Sequence, residues 1–140
     1  MDVLYTAEAI ATGAGRNGRV ATTDRRVELD LAIPREMGGS GDGANPEQLF
    51  AAGYSACFHS ALHAVARAQK VSISDSSVAG RVQIGPNGQG GYQLAVRLEV
   101  VLPGLEQDQA QALADAAHQV CPYSNATRGN IEVTVVVSED

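Results

Sequence analysis

The chain has 140 residues, the length of one ordinary domain, and 44% of them are hydrophobic, enough for a core without disulfide or metal staples. Sixteen acidic residues against ten basic ones leave a net charge of −6, and Arg25-Arg26 is the longest basic run, which argues against nucleic-acid binding by counterion release. Charged residues make up 19%, too few for a disordered acidic tail, and no apolar run nears the roughly 18 residues of a membrane span.

Two Phe, four Tyr and no Trp point to tight packing of small side chains rather than an aromatic cage. Met1-Asp2-Val3-Leu4-Tyr5 has neither a basic n-region nor an apolar h-region, so no signal peptide is evident. The two cysteines are then expected as reduced thiols in a cytoplasmic protein.

In chain order, residues 3–11 and 26–31 alternate loosely between apolar and polar, which predicts two strands. Gly13-Ala14-Gly15-Arg16-Asn17-Gly18 matches a dinucleotide-binding glycine pattern. The residues after it, Arg19-Val20-Ala21-Thr22, do not open a helix, so the segment reads as a hairpin loop that holds Arg16 on a tight turn. Residues 38–43 form a glycine-rich loop. A long helix follows, with Asn45 as cap, Pro46 in the first position and Gln48 three residues after the cap. Its predicted apolar face is Leu49, Gly53, Ala56, Cys57, Ser60, Ala61, Ala64, Val65 and Ala68.

Residues 77–84 and 92–102 predict two further strands with a hairpin at 85–88. A second helix is predicted over 106–120, with Ala110, Leu113, Ala114, Ala117, Val120 and Cys121 on one face. Pro122 should end it, because the residue before a proline avoids the helical region. A valine-rich strand closes the chain over 131–137. The order β-β-α-β-β-α-β predicts one α+β domain over 1–140, with helices on one side of an antiparallel sheet.

His59 and His63 share one helical face, yet lack the zincin glutamate between them. His118 is the only other imidazole, and no C-x-x-C supports zinc, so no metal is expected. Cys57 and Cys121 each sit on the apolar face of a helix, where buried structural thiols are common. A nucleophilic Cys57 would sit mid-helix without help from a helix N-terminus, so it would need an arginine nearby. An arginine in an apolar pocket would in turn need a carboxylate, for which Glu47 is the natural candidate.

The thirteen residues Asn45-Pro46-Glu47-Gln48-Leu49-Phe50-Ala51-Ala52-Gly53-Tyr54-Ser55-Ala56-Cys57 closely resemble the signature of the organic hydroperoxide resistance (Ohr) branch of the Ohr/OsmC superfamily. The block from His118 to Asn130 around Cys121-Pro122-Tyr123-Ser124-Asn125-Ala126 resembles that branch's second motif, and Val3-Leu4-Tyr5-Thr6-Ala7 also fits. The resemblance implies an intertwined α+β homodimer and a thiol peroxidase without a cofactor. It implies Cys57 as the peroxidatic cysteine, Cys121 as the resolving one and a disulfide between them. Gly15-Arg16-Asn17-Gly18 resembles the family's arginine turn, with Glu47 as the arginine's partner. That turn carries an extra residue here, which leaves Arg19 as an alternative to Arg16. The loop Gly88-Gln89-Gly90-Gly91 lacks the family's Ile-Pro and Phe.

The expected substrates are alkyl and lipid hydroperoxides, lined by Phe50, Ala56 and Val120. The expected reductant is a dithiol, preferably on a lipoyl-bearing protein. The rival reading is a non-catalytic small-molecule-binding α+β dimer with two buried structural cysteines.

Overall fold

The computed structural model describes Met1–Ser138, which divide into two compact units at Leu49–Phe50. The first unit holds β1 (Ala9–Thr12), β2 (Arg19–Thr22) and β3 (Glu28–Asp30), paired antiparallel in that order. The strand expected over 3–11 is shortened to Ala9–Thr12, whose ladder with β2 begins at Ala9–Thr22, with the Thr23 N–H donating to the Glu8 carbonyl just beyond it. β2 was not foreseen, since Arg19-Val20-Ala21-Thr22 reads as a turn without knowledge of its neighbours. Among the described residues of this unit, Ala32 is the only buried apolar side chain.

Helix α1 (Pro46–Ala68) begins as the sequence dictates. The Gln48 backbone N–H donates to Asn45 Oδ1 at 2.9 Å, and the Asn45 N–H donates back to Gln48 Oε1 at 3.1 Å. This reciprocal capping box satisfies two donors that a helix start leaves open.

The second unit carries most of α1, then β4 (Ser77–Pro86), β5 (Tyr92–Val101), α2 (Gln107–Val120), α3 (Pro122–Thr127) and β6 (Glu132–Ser138). β4 and β5 form an antiparallel hairpin. Its turn lies at Asn87–Gly91 rather than 85–88, because Asn87 Oδ1 accepts from the N–H groups of Gln89 and Gly91 at 2.8 and 3.0 Å. β6 runs parallel to β5, so this sheet is mixed rather than wholly antiparallel. The cause is the connection: a return through α2 and α3 is the helical crossover that parallel strands need.

The inner face of the sheet stacks Val82, Val96 and Val133, then Leu98 and Val135, then Val78, Val100 and Val137. The helices pack against this face, and Gly80 leaves room for α1. A Cβ there would collide with Ser55 Oγ and meet the Ala51 carbonyl at 3.1 Å.

The core face of α1 is Tyr54, Phe58, Ala61, Leu62 and Ala66; of the face expected from the sequence only Ala61 is buried, with Cys57 and Val65 packed against the core. Burying Tyr, Phe and Leu removes more apolar area from water, at about 25 cal/mol per Å². Ala52, Ala56, Ser60 and Ala64 are therefore left exposed in the chain. α2 buries Ala110, Leu113, Ala114 and Ala117 as expected. Val120 departs from that face and is 52% exposed, because the chain leaves α2 there to enter α3. Pro122 does end α2, but it also occupies the first turn of α3, where its missing N–H costs nothing.

Candidate active site

In the first unit, Arg16 sits on a single 3-10 turn, Gly15–Asn17, between β1 and β2. Gly15 takes φ +61, and a Cβ on Gly18 would run into the Thr12 carbonyl, so only glycines close this turn without strain. Asn17 Oδ1 accepts from the Ile33 N–H at 3.0 Å and pins the turn. From this base Arg16 donates two parallel hydrogen bonds to Glu47, Nη1 to Oε2 and Nη2 to Oε1, both 2.7 Å. The fork fixes the plane of the guanidinium as well as its position. Hydrogen bonding to Arg16 holds the Glu47 carboxyl below the usual range, against the upward pull of burial. Arg19 lies on β2 and pairs with Asp30 at 2.7 Å and Glu28 at 3.3 Å on the exposed surface. Of the two arginines left open by the sequence, Arg16 is the one that meets Glu47.

In the second unit the two cysteines are brought together. The Cys121 thiol donates to Cys57 Sγ across 3.4 Å. A disulfide needs about 2.05 Å, so the pair is reduced and roughly 1.4 Å from bonding. Cys57 is half-buried on α1, whereas Cys121 is fully buried between α2 and α3. Burial pushes the Cys57 thiol upward. The Tyr123 backbone N–H donates to it and pulls it down, and the facing Cys121 adds to the rise. Among the described residues of this unit, then, no cation offsets the cost of a Cys57 thiolate.

An aromatic group borders the cysteines, contrary to the expectation of small-residue packing. Phe50, Tyr54 and Tyr123 lie with ring centroids 5.7 to 6.0 Å apart. Tyr123 rests over Gly53, where a Cβ would come within 3.2 Å of its Oη. The spacing Phe50–Tyr54 could have signalled two of these three rings; Tyr123 arrives from the other motif, which no periodicity links to α1. Of the expected substrate-lining residues, Phe50 is half-buried in this group, and Ala56 and Val120 are exposed.

The histidines take separate partners. His59 and His63 lie with ring centroids 4.8 Å apart, and His59 Nε2 meets Ser76 Oγ at 2.9 Å. His118 Nδ1 meets Ser124 Oγ at 2.7 Å. Among the described residues no three His, Cys, Asp or Glu side chains converge as a metal site, and no helix is long and apolar enough to cross a membrane.

The family model described as OsmC-like protein matches residues 39–136. The organic hydroperoxide resistance protein of Xanthomonas axonopodis pv. citri is 51% identical over 138 residues, covering 97% of this chain and 96% of that protein. Organic hydroperoxide resistance protein OhrA of Bacillus subtilis is 45% identical over 138 residues, covering 97% of each. The crystal structure of an organic hydroperoxide resistance protein from Elizabethkingia anophelis superposes with a TM-score of 0.95 at 50% identity, covering 100% of both chains. Matches of this length and identity leave one assignment: the chain belongs to the OsmC-like family, on its organic hydroperoxide resistance branch.

Proposed function

We propose that the protein is a cysteine peroxidase that reduces organic hydroperoxides to alcohols. The observation that carries this reading is the 3.4 Å approach of a half-buried Cys57 and a fully buried Cys121. The accessible sulfur meets the peroxide, and the enclosed one waits for the product.

The Cys57 thiolate attacks the distal peroxide oxygen and the O–O bond breaks. The alkoxide leaves, takes a proton and departs as the alcohol. Cys57 is left as a sulfenic acid. The Cys121 sulfur attacks Cys57 Sγ, hydroxide leaves with a proton as water, and the disulfide closes. A dithiol, best matched by a lipoyl group, then reduces that bond by two exchange steps and is itself oxidised to a cyclic disulfide.

Because burial raises the Cys57 thiol, the reaction needs a cation, and Arg16 supplies it, oriented by Glu47. The same guanidinium can donate to the peroxide oxygens. Phe50, Ala56 and Val120 line the organic group. We read residues 1–140 as one domain, because α1 crosses the division between the units without a break.

The working form is a homodimer. The first unit has almost no apolar core of its own, and the exposed Ala52–Ala56–Ser60–Ala64 stripe lets a second helix approach closely. The exposed Leu4, Tyr5 and Ile10 offer further apolar surface for a second copy to cover.

Steady-state assays test the reading. With dihydrolipoamide as reductant, tert-butyl and fatty-acid hydroperoxides should exceed hydrogen peroxide in kcat/KM. Each buried methylene contributes about 0.8 kcal/mol. Thioredoxin should be a poorer donor. A preference for hydrogen peroxide would contradict the apolar lining. No turnover with any hydroperoxide would favour the non-catalytic binding dimer, which the raised Cys57 thiol alone would suit.

A further inference from the structure

A buried hydrogen-bond chain joins the two cysteine-bearing elements and is used by none of the steps above. Tyr54 lies three residues before Cys57 on α1. His118 lies three before Cys121 on α2, and Ser124 three after it on α3. His118 Nδ1 meets Ser124 Oγ at 2.7 Å, and Ser124 Oγ meets Tyr54 Oη at 2.8 Å. Tyr54 Oη meets Thr127 Oγ1 at 3.1 Å, and Thr127 Oγ1 donates to the Tyr123 carbonyl at 2.9 Å. Tyr54 and Ser124 are both 0% exposed, so the link between them is out of reach of bulk solvent.

The proton count fixes the direction of this chain. A carbonyl oxygen only accepts, so the single hydroxyl proton of Thr127 points to Tyr123, shared at 3.3 Å with the Ser124 carbonyl. Thr127 must then accept from Tyr54, Tyr54 from Ser124, and Ser124 from His118 Nδ1. Each hydroxyl donates once and accepts once. The imidazole therefore carries a proton on Nδ1. Burial, first, and the charge of Arg128 favour its neutral form, with Asp115 opposing, and the Phe58 ring lies 6.4 Å away.

We propose that Ser124, with Tyr54 and His118, is a positioning residue for the cysteine pair: the one-way chain holds the α2–α3 elbow against the Cys57 turn of α1 and sets how fast Cys121 closes the disulfide. The biological use of this step rests on the peroxidase reading; the geometry does not. Closing a gap of about 1.4 Å makes the step sensitive to small drift, since a misplacement near 1 Å costs about a hundredfold in rate.

The test uses the full chain and the chromogenic disulfide dithiobis-nitrobenzoate. The Cys57 thiolate attacks it and releases one thionitrobenzoate, leaving a mixed disulfide. Cys121 then attacks Cys57 Sγ and releases the second. Tyr54→Phe, which keeps the ring, and Ser124→Ala should leave the first release within about twofold and slow the second about tenfold or more. Nitrogen NMR should show neutral His118 protonated on Nδ1 in the parent chain, with that preference lost in Ser124→Ala. A second release within twofold of the parent overturns the proposal. So does equal slowing of both releases, or a parent His118 bare at Nδ1. A parent chain that resolves the mixed disulfide quickly yet consumes no hydroperoxide removes the peroxidase reading and leaves the positioning role standing.

Discussion

Cys57 and Cys121 touch sulfur to sulfur at 3.4 Å, yet only Cys57 has an exposed edge. On the proposed peroxidase reading, this inequality sets their roles apart. Cys57→Ser should abolish even one turnover. Cys121→Ser should consume one peroxide per site and then stall, with Cys57 held as sulfenic acid or driven to sulfinic acid. Single-turnover peroxide consumption and intact mass measure both. Equal loss of the first turnover in the two variants would remove the assignment.

Arg16 should matter more for chemistry than for folding. It sits on a surface turn with its side chain 34% exposed, so its removal leaves the apolar core intact. Burial already raises the Cys57 thiol, so if Arg16 serves Cys57 as proposed, losing that cation raises it further. The alkylation curve of Cys57 should shift to higher pH in Arg16→Ala and stay in place in Arg19→Ala. Glu47 adds an acid-side signature. Its carboxyl is held low in the folded chain, so its stabilising share is present above the ordinary carboxylate range, near pH 4.3. That share is lost as the pH falls through the depressed value, and it should be missing in Arg16→Ala when denaturant midpoints are followed into acid. A shift of the alkylation curve in Arg19→Ala alone would move the active-site arginine to Arg19.

The two long helices were legible because their signals are local, whereas the short α3 was not foreseen. Asn45, Pro46 and Gln48 mark the start of α1 within four residues, and Pro122 marks the end of α2. The two cysteines and Glu47 were legible because they lie inside long, specific motifs. What the sequence hid is set by tertiary pairing. The parallel partnership of β5 and β6 depends on where a crossover lands, which no window of residues contains. The core face of α1 was misread because small residues repeat at helical spacing on one side, while Tyr54, Phe58 and Leu62 repeat on the other. The Tyr54–Ser124–His118 chain joins residues up to 70 apart, and only the fold reveals it.

Gly53→Ala sets two effects against each other. Alanine is better than glycine in a helix interior by about 1 kcal/mol. Its Cβ would press on Tyr123, 3.2 Å from Oη and 3.3 Å from Cε2. Tyr123 is 39% exposed and can swing outward, so stability should hold or rise. The swing turns only the ring, so the Tyr123 backbone N–H that lowers the Cys57 thiol keeps its place. The expected outcome is an unchanged or higher Tm together with unchanged alkylation of Cys57 at neutral pH. A loss of more than about 2 kcal/mol would show that the ring cannot yield, as in an overpacked core.

The assembly prediction follows from the length of α1. Glu47 and Cys57 are ten residues apart on this helix, about 15 Å along its axis at 1.5 Å per residue. That is too far for Glu47 to stand beside the Cys57 of its own helix. In a two-fold dimer, the Arg16–Glu47 pair of one subunit can serve the Cys57 of the other. The exposed Ala52, Ala56, Ser60 and Ala64 allow the two helices to come close enough. Inactive Cys57→Ser refolded with inactive Glu47→Ala then discriminates. A random mixture makes half the dimers mixed, and each mixed dimer assembles one complete site from an intact Cys57 and the other chain's intact Glu47. The mixture should regain about a quarter of the unmodified activity, by the arithmetic of two-fold symmetry. If both groups served a cysteine in their own chain, mixed dimers would hold no complete site. Verified mixed dimers without activity would therefore place the whole site within one subunit.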